Sequence, residues 1–353
     1  MKVMKKEFWI PSLLHFFVDF FSVYVVVSFK SLTISPEGLA LLTIGYDALA
    51  FLPQPVLGAI FEKNKNLKYL GAIGCLFVML GALIPEAITA IILLGLGNAL
   101  FHVCDGTVIL EKSKKAAPLG VFISFGSLGL GLALSFANSY MFFILLGLFV
   151  LLTVFSCFLR YEKIDFLFVS EKGKEKSLVI PLIFIVLGVF LRGFFGPYNN
   201  NTWTSSATYP ALLTAIAVFI GKFSGGFALD FIGGLPLIVV SGVLSFVCVF
   251  FPSLASVSLL GVIGVNLLMA LTMEFVRRAM PGHLGFGFGL LASFLFVGYI
   301  FGFSLKSLLP FQSYLAPILM VLNTATLLYC SWALKKEARM DFFPRKEQIN
   351  EHS

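Results

Sequence analysis

The chain has 353 residues, of which 59% are hydrophobic and only 12% are charged, and its mean hydropathy is +0.97. These values exclude an ordinary soluble domain, in which about a quarter of the residues are charged. The net charge of +7 comes from short basic clusters between apolar runs, a pattern that indicates membrane topology and argues against nucleic-acid binding.

Twelve apolar stretches are long enough to be membrane-spanning helices, which need about 20 residues each. In chain order the predicted spans are 8–29, 37–60, 68–84, 87–110, 118–137, 140–159, 178–198, 207–231, 235–251, 254–276, 284–304 and 311–334. We therefore predict an all-α polytopic membrane protein with twelve transmembrane helices. Its N-terminal six-helix bundle covers 1–159, a cytoplasmic linker covers 160–177, and the C-terminal six-helix bundle covers 178–353.

Lysine and arginine are concentrated in alternate connections. Of the 25 basic residues, all lie at the termini, in 160–177 or in the loops after the second, fourth and tenth spans, except Lys30, Arg192, Lys222 and Lys306. Because cytoplasmic loops carry the excess of positive charge, both termini are predicted to be cytoplasmic, with the protein in the inner (cell) membrane. An odd number of spans would break this alternation, so the charges also favour twelve.

The two halves carry similar residues at one constant spacing. Three pairs lie 168 positions apart: Gly58 and Gly226, Glu62 and Asp230, and Asn98 and Asn266. These matches predict two parallel six-helix bundles related by an axis along the membrane normal, with the substrate site between them near the midplane.

The fourth predicted span carries a polar stripe. Asn98, His102 and Asp105 follow one another at i, i+4 and i+7 and therefore share one helical face. That face must meet protein or water, because each unmatched polar group costs several kcal/mol in hydrocarbon. We predict that the helix lines the transport pathway, with Asn98 and His102 binding substrate and Asp105 a candidate for proton coupling.

Two further carboxylates lie near the predicted midplane, Asp19 in the first span and Asp47 in the second. A carboxylate at that depth is costly unless it is paired, hydrated or protonated. This property suits a proton carrier, and it also suits a static ion pair between helices. Asp19 is the first candidate for proton coupling, followed by Asp47, and His15 on the same face as Asp19 is a candidate substrate contact.

The second half contains isolated cations instead. The guanidinium of Arg192 cannot discharge by deprotonation, so it needs an anion, either Asp19 or a carboxylate, phosphate or phosphonate of the substrate. Lys222 either contacts substrate or extends to the cytoplasmic interface. Arg192, Lys222 and Asn266 are therefore the candidate substrate-binding residues of this half.

The loop after the second span resembles the signature of the major facilitator superfamily. It has Gly58, three further residues, the acid Glu62 and then basic residues, and a second copy keeps Gly226 and Asp230 without the following arginine. The resemblance implies transport by alternating access. It also implies a gating role for these four residues, in which the acid contacts a neighbouring helix N-terminus and stabilises one access state.

A closer resemblance is to the fosmidomycin-resistance branch of drug exporters. It is carried by His15-Phe-Phe-Val-Asp19, by Gln54-Pro55-Val-Leu-Gly58, by His102 and by Leu191-Arg192, although the proline of that family's fourth helix is missing. The resemblance implies proton-coupled efflux.

We therefore predict a proton-coupled antiporter that exports a small anionic or zwitterionic compound as a monomer in the lipid bilayer. The alternative is uptake of a metabolite or of a divalent metal ion, which carboxylates and imidazoles suit but which Arg192 and Lys222 oppose electrostatically. A membrane enzyme or receptor is the third hypothesis. No Walker loop, His-Glu-x-x-His, G-x-S-x-G or paired-cysteine motif is present, so we expect no cofactor, no bound metal and no catalysis.

Overall fold

The computed structural model of the chain describes residues 6–29, 35–63, 69–136, 141–159, 178–198, 202–306, 308 and 312–336. Every regular element in these ranges is helical. The predicted linker 160–177 and both charged termini lie outside the described residues. The domain boundaries and the orientation in the membrane therefore remain predictions.

The first half of the described chain contains seven helices. They are α1 (Lys6–Ser28), α2 (Pro36–Phe51), α3 (Gln54–Lys63), α4 (Leu70–Leu83), α5 (Ala87–Lys112), α6 (Ala117–Phe136) and α7 (Phe142–Leu159). The predicted span 37–60 is thus two helices, separated by a turn at residues 52 and 53. Pro53 and Pro55 explain the break, because neither has an N–H group to donate to the preceding helical turn.

The second half contains seven α-helices in its described part, besides two short 3-10 helices, Gly196–Tyr198 and Thr202–Ser205. The α-helices are α8 (Val179–Phe195), α9 (Pro210–Ile232), α10 (Gly234–Cys248), α11 (Ala255–Asn266), α12 (Met269–Ala279), α13 (Leu284–Leu305) and α14 (Gln312–Lys336). The predicted span 254–276 is divided after Asn266, whose side-chain amide donates to the carbonyl of Val262 at 2.8 Å. Gly233, with φ of 84°, makes the sharp turn between α9 and α10, a conformation that glycine adopts readily.

The helices are long and apolar enough for a multi-pass membrane protein. Nine helical stretches of the described chain meet the length and hydropathy of a membrane span, and three shorter apolar helices are Leu70–Leu83, Phe142–Phe158 and Gly234–Cys248. These stretches coincide with the twelve predicted spans. Because three of them are short for a bilayer, the count of twelve crossings stays a prediction.

The outer surface of the bundle is apolar, and much of the polar chemistry is inside. Phe143, Phe158 and Phe231 are 75%, 82% and 82% exposed, which suits contact with lipid tails. The buried polar and charged side chains include His15, Asn98, Asp105, Arg192 and Glu274. In a lipid environment such groups mark function or packing between helices.

Two helix pairs make the most extensive contacts between the halves in the described chain, α6 with α9 and α3 with α13. Glycines allow the main chains to approach closely in both pairs. A Cβ added to Gly120 of α6 would lie 2.9 Å from the Cα of Gly226 in α9, and one added to Gly58 of α3 would overlap the carbonyl group of Gly285 in α13. Small residues at such crossings are the usual means of close helix packing in membranes.

Candidate functional site

A cluster of polar side chains, which we call the polar cluster, joins α1, α2 and α5. It consists of His15, Asp19, Tyr46, Asn98 and His102. The amide nitrogen of Asn98 donates to Asp19 Oδ1 at 3.1 Å and to the hydroxyl of Tyr46 at 2.9 Å. Nε2 of His15 lies 3.3 Å from Asp19 Oδ2 and 2.7 Å from Nε2 of His102. The structure thus places four predicted site residues in mutual contact.

Main-chain carbonyl groups hold both imidazoles of the polar cluster in place. Nδ1 of His15 lies 2.7 Å from the carbonyl oxygen of Phe122 in α6, and Nδ1 of His102 lies 3.0 Å from that of Asn98. The second nitrogen of each ring is therefore directed at the other ring and at Asp19. Such hydrogen bonds at one nitrogen determine what the other nitrogen can bind.

Gly126 of α6 provides the space that the polar cluster occupies. A Cβ at this position would overlap Asp19 Oδ2 and His15 Nε2. We expect Gly126→Ala to displace both side chains, at an overpacking cost of about 1–3 kcal/mol, and to lower the melting temperature of the purified protein. Gly147→Ala is the matched control, because nothing lies within 4 Å of its added Cβ. Equal melting temperatures for the two variants would contradict this close contact.

A cavity of about 410 Å³ lies between α2 of the first half and helices of the second half. Its volume suits a small molecule. Four predicted site residues line it, Asp47, Arg192, Lys222 and Asn266, and Tyr299 of α13 joins them. Most of the remaining wall is apolar or aromatic.

Arg192 is the most unusual residue of the cavity. It is 8% exposed, its Nε has no hydrogen-bond partner, and within the described parts of the chain its guanidinium forms no ion pair. From the sequence, Arg192 had two possible anionic partners, Asp19 and a substrate. Asp19 forms its contacts within the polar cluster instead. An uncompensated buried cation costs several kcal/mol, so the remaining expectation is a substrate anion.

Lys222 connects the cavity to the polar cluster. Its ammonium group donates to the hydroxyl of Ser127 in α6 at 2.9 Å and interacts electrostatically with Asp19 and His102. Of the two expectations for this residue, extension to the membrane interface is therefore wrong, because the side chain is directed across the boundary between the halves.

The predicted stripe of the fourth span is divided in the structure. Asn98 and His102 belong to the polar cluster, whereas Asp105 is only 1% exposed and lies one turn further along α5. Neither these three residues nor His15 is among the residues that line the described cavity. Their assignment to substrate binding and proton coupling remains a prediction.

Three contributors were missed by the sequence reasoning. Tyr46 could have been noticed, since it stands next to Asp47 in an otherwise apolar stretch. Ser127, in the glycine-rich α6, and Tyr299, in α13, carry no local signal. Only the packing of distant helices shows where their side chains lie.

At one end of the bundle, Glu62 binds the first turn of α13 in the other half. Its Oε1 accepts hydrogen bonds from the N–H groups of Gly285 and Phe286, the latter at 3.0 Å. The imidazole of His283 lies 3.7 Å from its Oε2. A carboxylate at a helix N-terminus is stabilised by the unpaired N–H groups and by the helix dipole.

Asp230 makes the equivalent contact from the other half. Its two carboxylate oxygens accept from the N–H groups of Ala116 and Ala117 at 2.8 and 2.9 Å, where α6 begins. Gly226, one turn earlier, is the glycine that faces Gly120. The pair Gly226 and Asp230 therefore repeats the geometry of Gly58 and Glu62.

A third contact between the halves lies at the same end. Arg277 donates to the carbonyl of Ser113, and Glu274 pairs with both Arg277 and Arg278, the latter at 2.5 Å. We call the region of the Glu62, Asp230 and Arg277 contacts the closed end of the bundle. These contacts join the halves there, whereas the cavity lies further towards the opposite end.

Comparison with known proteins identifies the fold. No protein-family model matches the chain, and no curated protein sequence matches it. A solved structure of a variant of the Escherichia coli fucose:proton symporter FucP matches with a TM-score of 0.66 at 11% identity, over 92% of this chain and 98% of that chain. FucP in the outward conformation, described as a major facilitator superfamily transporter, gives 0.64 at 11% identity, over 92% and 100%. The chain therefore has the major facilitator fold.

Proposed function

We propose that the protein is a secondary active transporter that moves a small anionic or zwitterionic compound by alternating access, in exchange for protons. The observation that carries this proposal is Arg192, a buried cation without an anionic partner in the described chain, on the wall of a cavity between the halves. A guanidinium binds carboxylate, phosphate or phosphonate groups bidentately. The fold supports this proposal, because solved structures with a similar fold include the transporter FucP.

The charges around the cavity favour a ligand that carries a negative group. Arg192 and Lys222 both line the wall, and Asp47 is the carboxylate on the same wall. A purely cationic substrate would face two positive charges. A zwitterion would satisfy Arg192 with its anionic group and Asp47 with its cationic group, while the aromatic wall, including Tyr299, covers the rest.

The orientation follows from the basic residues near the closed end. Lys63, Lys112 and Arg277 lie in the last turns of their helices there, and positive charge favours the cytoplasmic side. We therefore place the closed end in the cytoplasm, so that the cavity communicates with the outside in this state. The proposed direction, export, follows from the resemblance to fosmidomycin-resistance exporters. The proposal further takes the protein to be a monomer in the inner membrane, with both termini cytoplasmic as the positive charges indicate.

A second candidate function is transport of a divalent metal ion. His15, Asp19 and His102 offer ligand atoms that all lie within 4.8 Å of one another. Imidazole and carboxylate ligands suit such ions. The positive charge of Lys222, which interacts with two of these three residues, opposes the arrival of a cation.

A ligand panel tests the proposed function. The thermal stability of the purified protein would be measured with phosphonates, organic acids, amino acids, cationic drugs and divalent metals. A ligand that binds the folded state at a hundredfold excess over Kd adds about 2.7 kcal/mol. We expect stabilisation by anions or zwitterions, and flux of the same compounds in proteoliposomes that follows an imposed pH gradient. Stabilisation by divalent metals alone would replace this function with the second candidate, and flux that ignores the gradient would refute proton coupling.

A further inference from the structure

His15 and His102 present the same ring nitrogen to each other. The two Nε2 atoms are 2.7 Å apart, and the ring planes are perpendicular with centroids 4.3 Å apart. This separation is that of a hydrogen bond. Two bare nitrogens would instead direct lone pairs at each other, so the contact requires a proton on one of the Nε2 atoms.

The hydrogen bonds of the two Nδ1 atoms show whether this proton can belong to a neutral ring. Nδ1 of His15 faces the carbonyl of Phe122, and Nδ1 of His102 faces the carbonyl of Asn98. A carbonyl oxygen only accepts, so each Nδ1 carries its own N–H group. A neutral imidazole has a single N–H group. Two neutral rings in this arrangement would therefore leave both Nε2 atoms bare, and the proton between them makes one ring an imidazolium.

We infer that His15 and His102 form a proton-binding site that holds one proton more than two neutral imidazoles, shared between their Nε2 atoms. This site deepens the proposed function and rests on it, because it places the coupled proton on two histidines and leaves Asp19 as their counter-charge. Asp19 Oδ2 lies 3.3 Å from Nε2 of His15, and Asp19 Oδ1 lies 3.8 Å from Nε2 of His102.

The surroundings suit one positive charge and oppose a second. Asp19 supplies one negative charge, and Tyr46 and Asp47 are the titratable groups of α2 close to it. Lys222 of α9 is the nearby positive charge, and it interacts electrostatically with Asp19 and His102. From α6 the neighbours are the carbonyl of Phe122 and the hydroxyl of Ser127, which do not titrate. The pair therefore exchanges one proton.

The members of the site differ in how much of their surface is exposed. The side chains of His102 and Asp19 keep 12% and 19% of their surface exposed, whereas that of His15 keeps 6%. A proton would therefore arrive at His102 and be shared with His15, and it would leave by the same route.

A metal ion at the same place would need a different geometry. Zn²⁺ binds imidazole nitrogens at about 2.0–2.1 Å, so two tetrahedral ligands lie roughly 3.3 Å apart. The observed 2.7 Å between the two Nε2 atoms is shorter, and it leaves no room for an ion between them. The geometry therefore favours a proton.

Nuclear magnetic resonance of protein labelled with 15N-histidine tests the site, since the chain has only 4 histidines. At neutral pH we expect one strongly deshielded proton with scalar coupling to two ring nitrogens. This signal is expected to vanish in His15→Gln and in His102→Gln and to persist in His283→Gln, whose side chain is 60% exposed. In Asp19→Asn we expect the shared-proton signal to be absent at a pH at which the unmodified protein still shows it.

The outcomes separate the proton site from the transport function. Two bare Nε2 atoms throughout the pH range of the folded protein would overturn the site, and so would a signal that survives both histidine substitutions. If one equivalent of Zn²⁺ abolishes the signal and raises the melting temperature, the proton site would be overturned in favour of a metal site. If the shared-proton signal is absent in a protein whose flux follows a pH gradient, the proton site alone is refuted. If the signal is present but flux ignores the gradient, the site is supported and only the proposed function is refuted. The unmodified protein alone suffices if the variants do not fold.

Discussion

Alanine at position 58 will open the closed end of the bundle to water-soluble reagents. The added Cβ would overlap the main chain of Gly285 in α13, and no flexible side chain is there to yield. Overpacking of this kind costs about 1–3 kcal/mol, which corresponds to a roughly 5- to 150-fold change in the ratio of closed to open molecules. Separation of α3 from α13 also withdraws Glu62 from the N–H groups that it binds. Loss of the glycine contact and loss of these hydrogen bonds therefore both favour the open state.

The opening would be measured at Ser113, whose side chain is buried at the closed end and 4% exposed. A cysteine introduced there, in a chain without the 5 native cysteines, would be labelled with a water-soluble maleimide. Gly45→Ala in α2 is the matched control, because nothing lies within 4 Å of its added Cβ. Labelling at the same rate in Gly58→Ala and Gly45→Ala would show that the glycine contact does not hold the halves together.

Arg192→Ala will remove most of the affinity for an anionic ligand. Loss of one partner of a buried, hydrogen-bonded charge pair costs about 2–5 kcal/mol, or roughly 30- to 4,000-fold in Kd. Arg192→Lys keeps the positive charge but not the planar guanidinium that binds an anion bidentately. We therefore expect its affinity to lie between those of the unmodified protein and of Arg192→Ala. Because Arg192 is buried without an anion in the described chain, the ligand-free Arg192→Ala protein should be at least as stable as the unmodified protein.

Both effects would be read from melting temperatures across a ligand titration. Lys336→Gln removes one positive charge from a side chain that stacks over Trp332, 5.5 Å from its ring, and it serves as the control for net charge. The opposite result, lower stability without ligand and unchanged affinity, would mean that Arg192 serves the fold and does not bind substrate.

The helical architecture could be predicted because each span is encoded locally by about 20 apolar residues. The divisions of the second and tenth spans were not predicted. Pro53 and Pro55 carried a signal for the first of them, whereas Leu267 and Leu268, at the second, are ordinary helix formers. The pairing of Glu62 and Asp230 with helix N-termini was expected from the resemblance, and the structure describes both contacts, although their role in gating is untested.

The contacts of the candidate site were not accessible from the sequence. Spacing by four residues puts His15 and Asp19 on one helical face, but it does not say which helix that face meets. The contact between the two imidazoles joins residues 87 positions apart, and the contact of Lys222 with Ser127 joins residues 95 positions apart. Because contacts between distant helices are not encoded locally, the sequence could not decide whether Asp19 or a ligand is the partner of Arg192.

At the closed end, Glu62 and Asp230 accept hydrogen bonds from main-chain N–H groups of the opposite half. Every residue type except proline supplies such a donor, so the partner of Asp230 at Ala116, or that of Glu62 at Phe286, can be replaced without loss of the hydrogen bond. At these two contacts the identity of the acid matters, and so does that of the glycines that let the main chains approach. Most of the boundary between the halves is thus free to diverge in sequence while its geometry persists, which allows a chain to share this fold with a symporter at 11% identity and to match no family model.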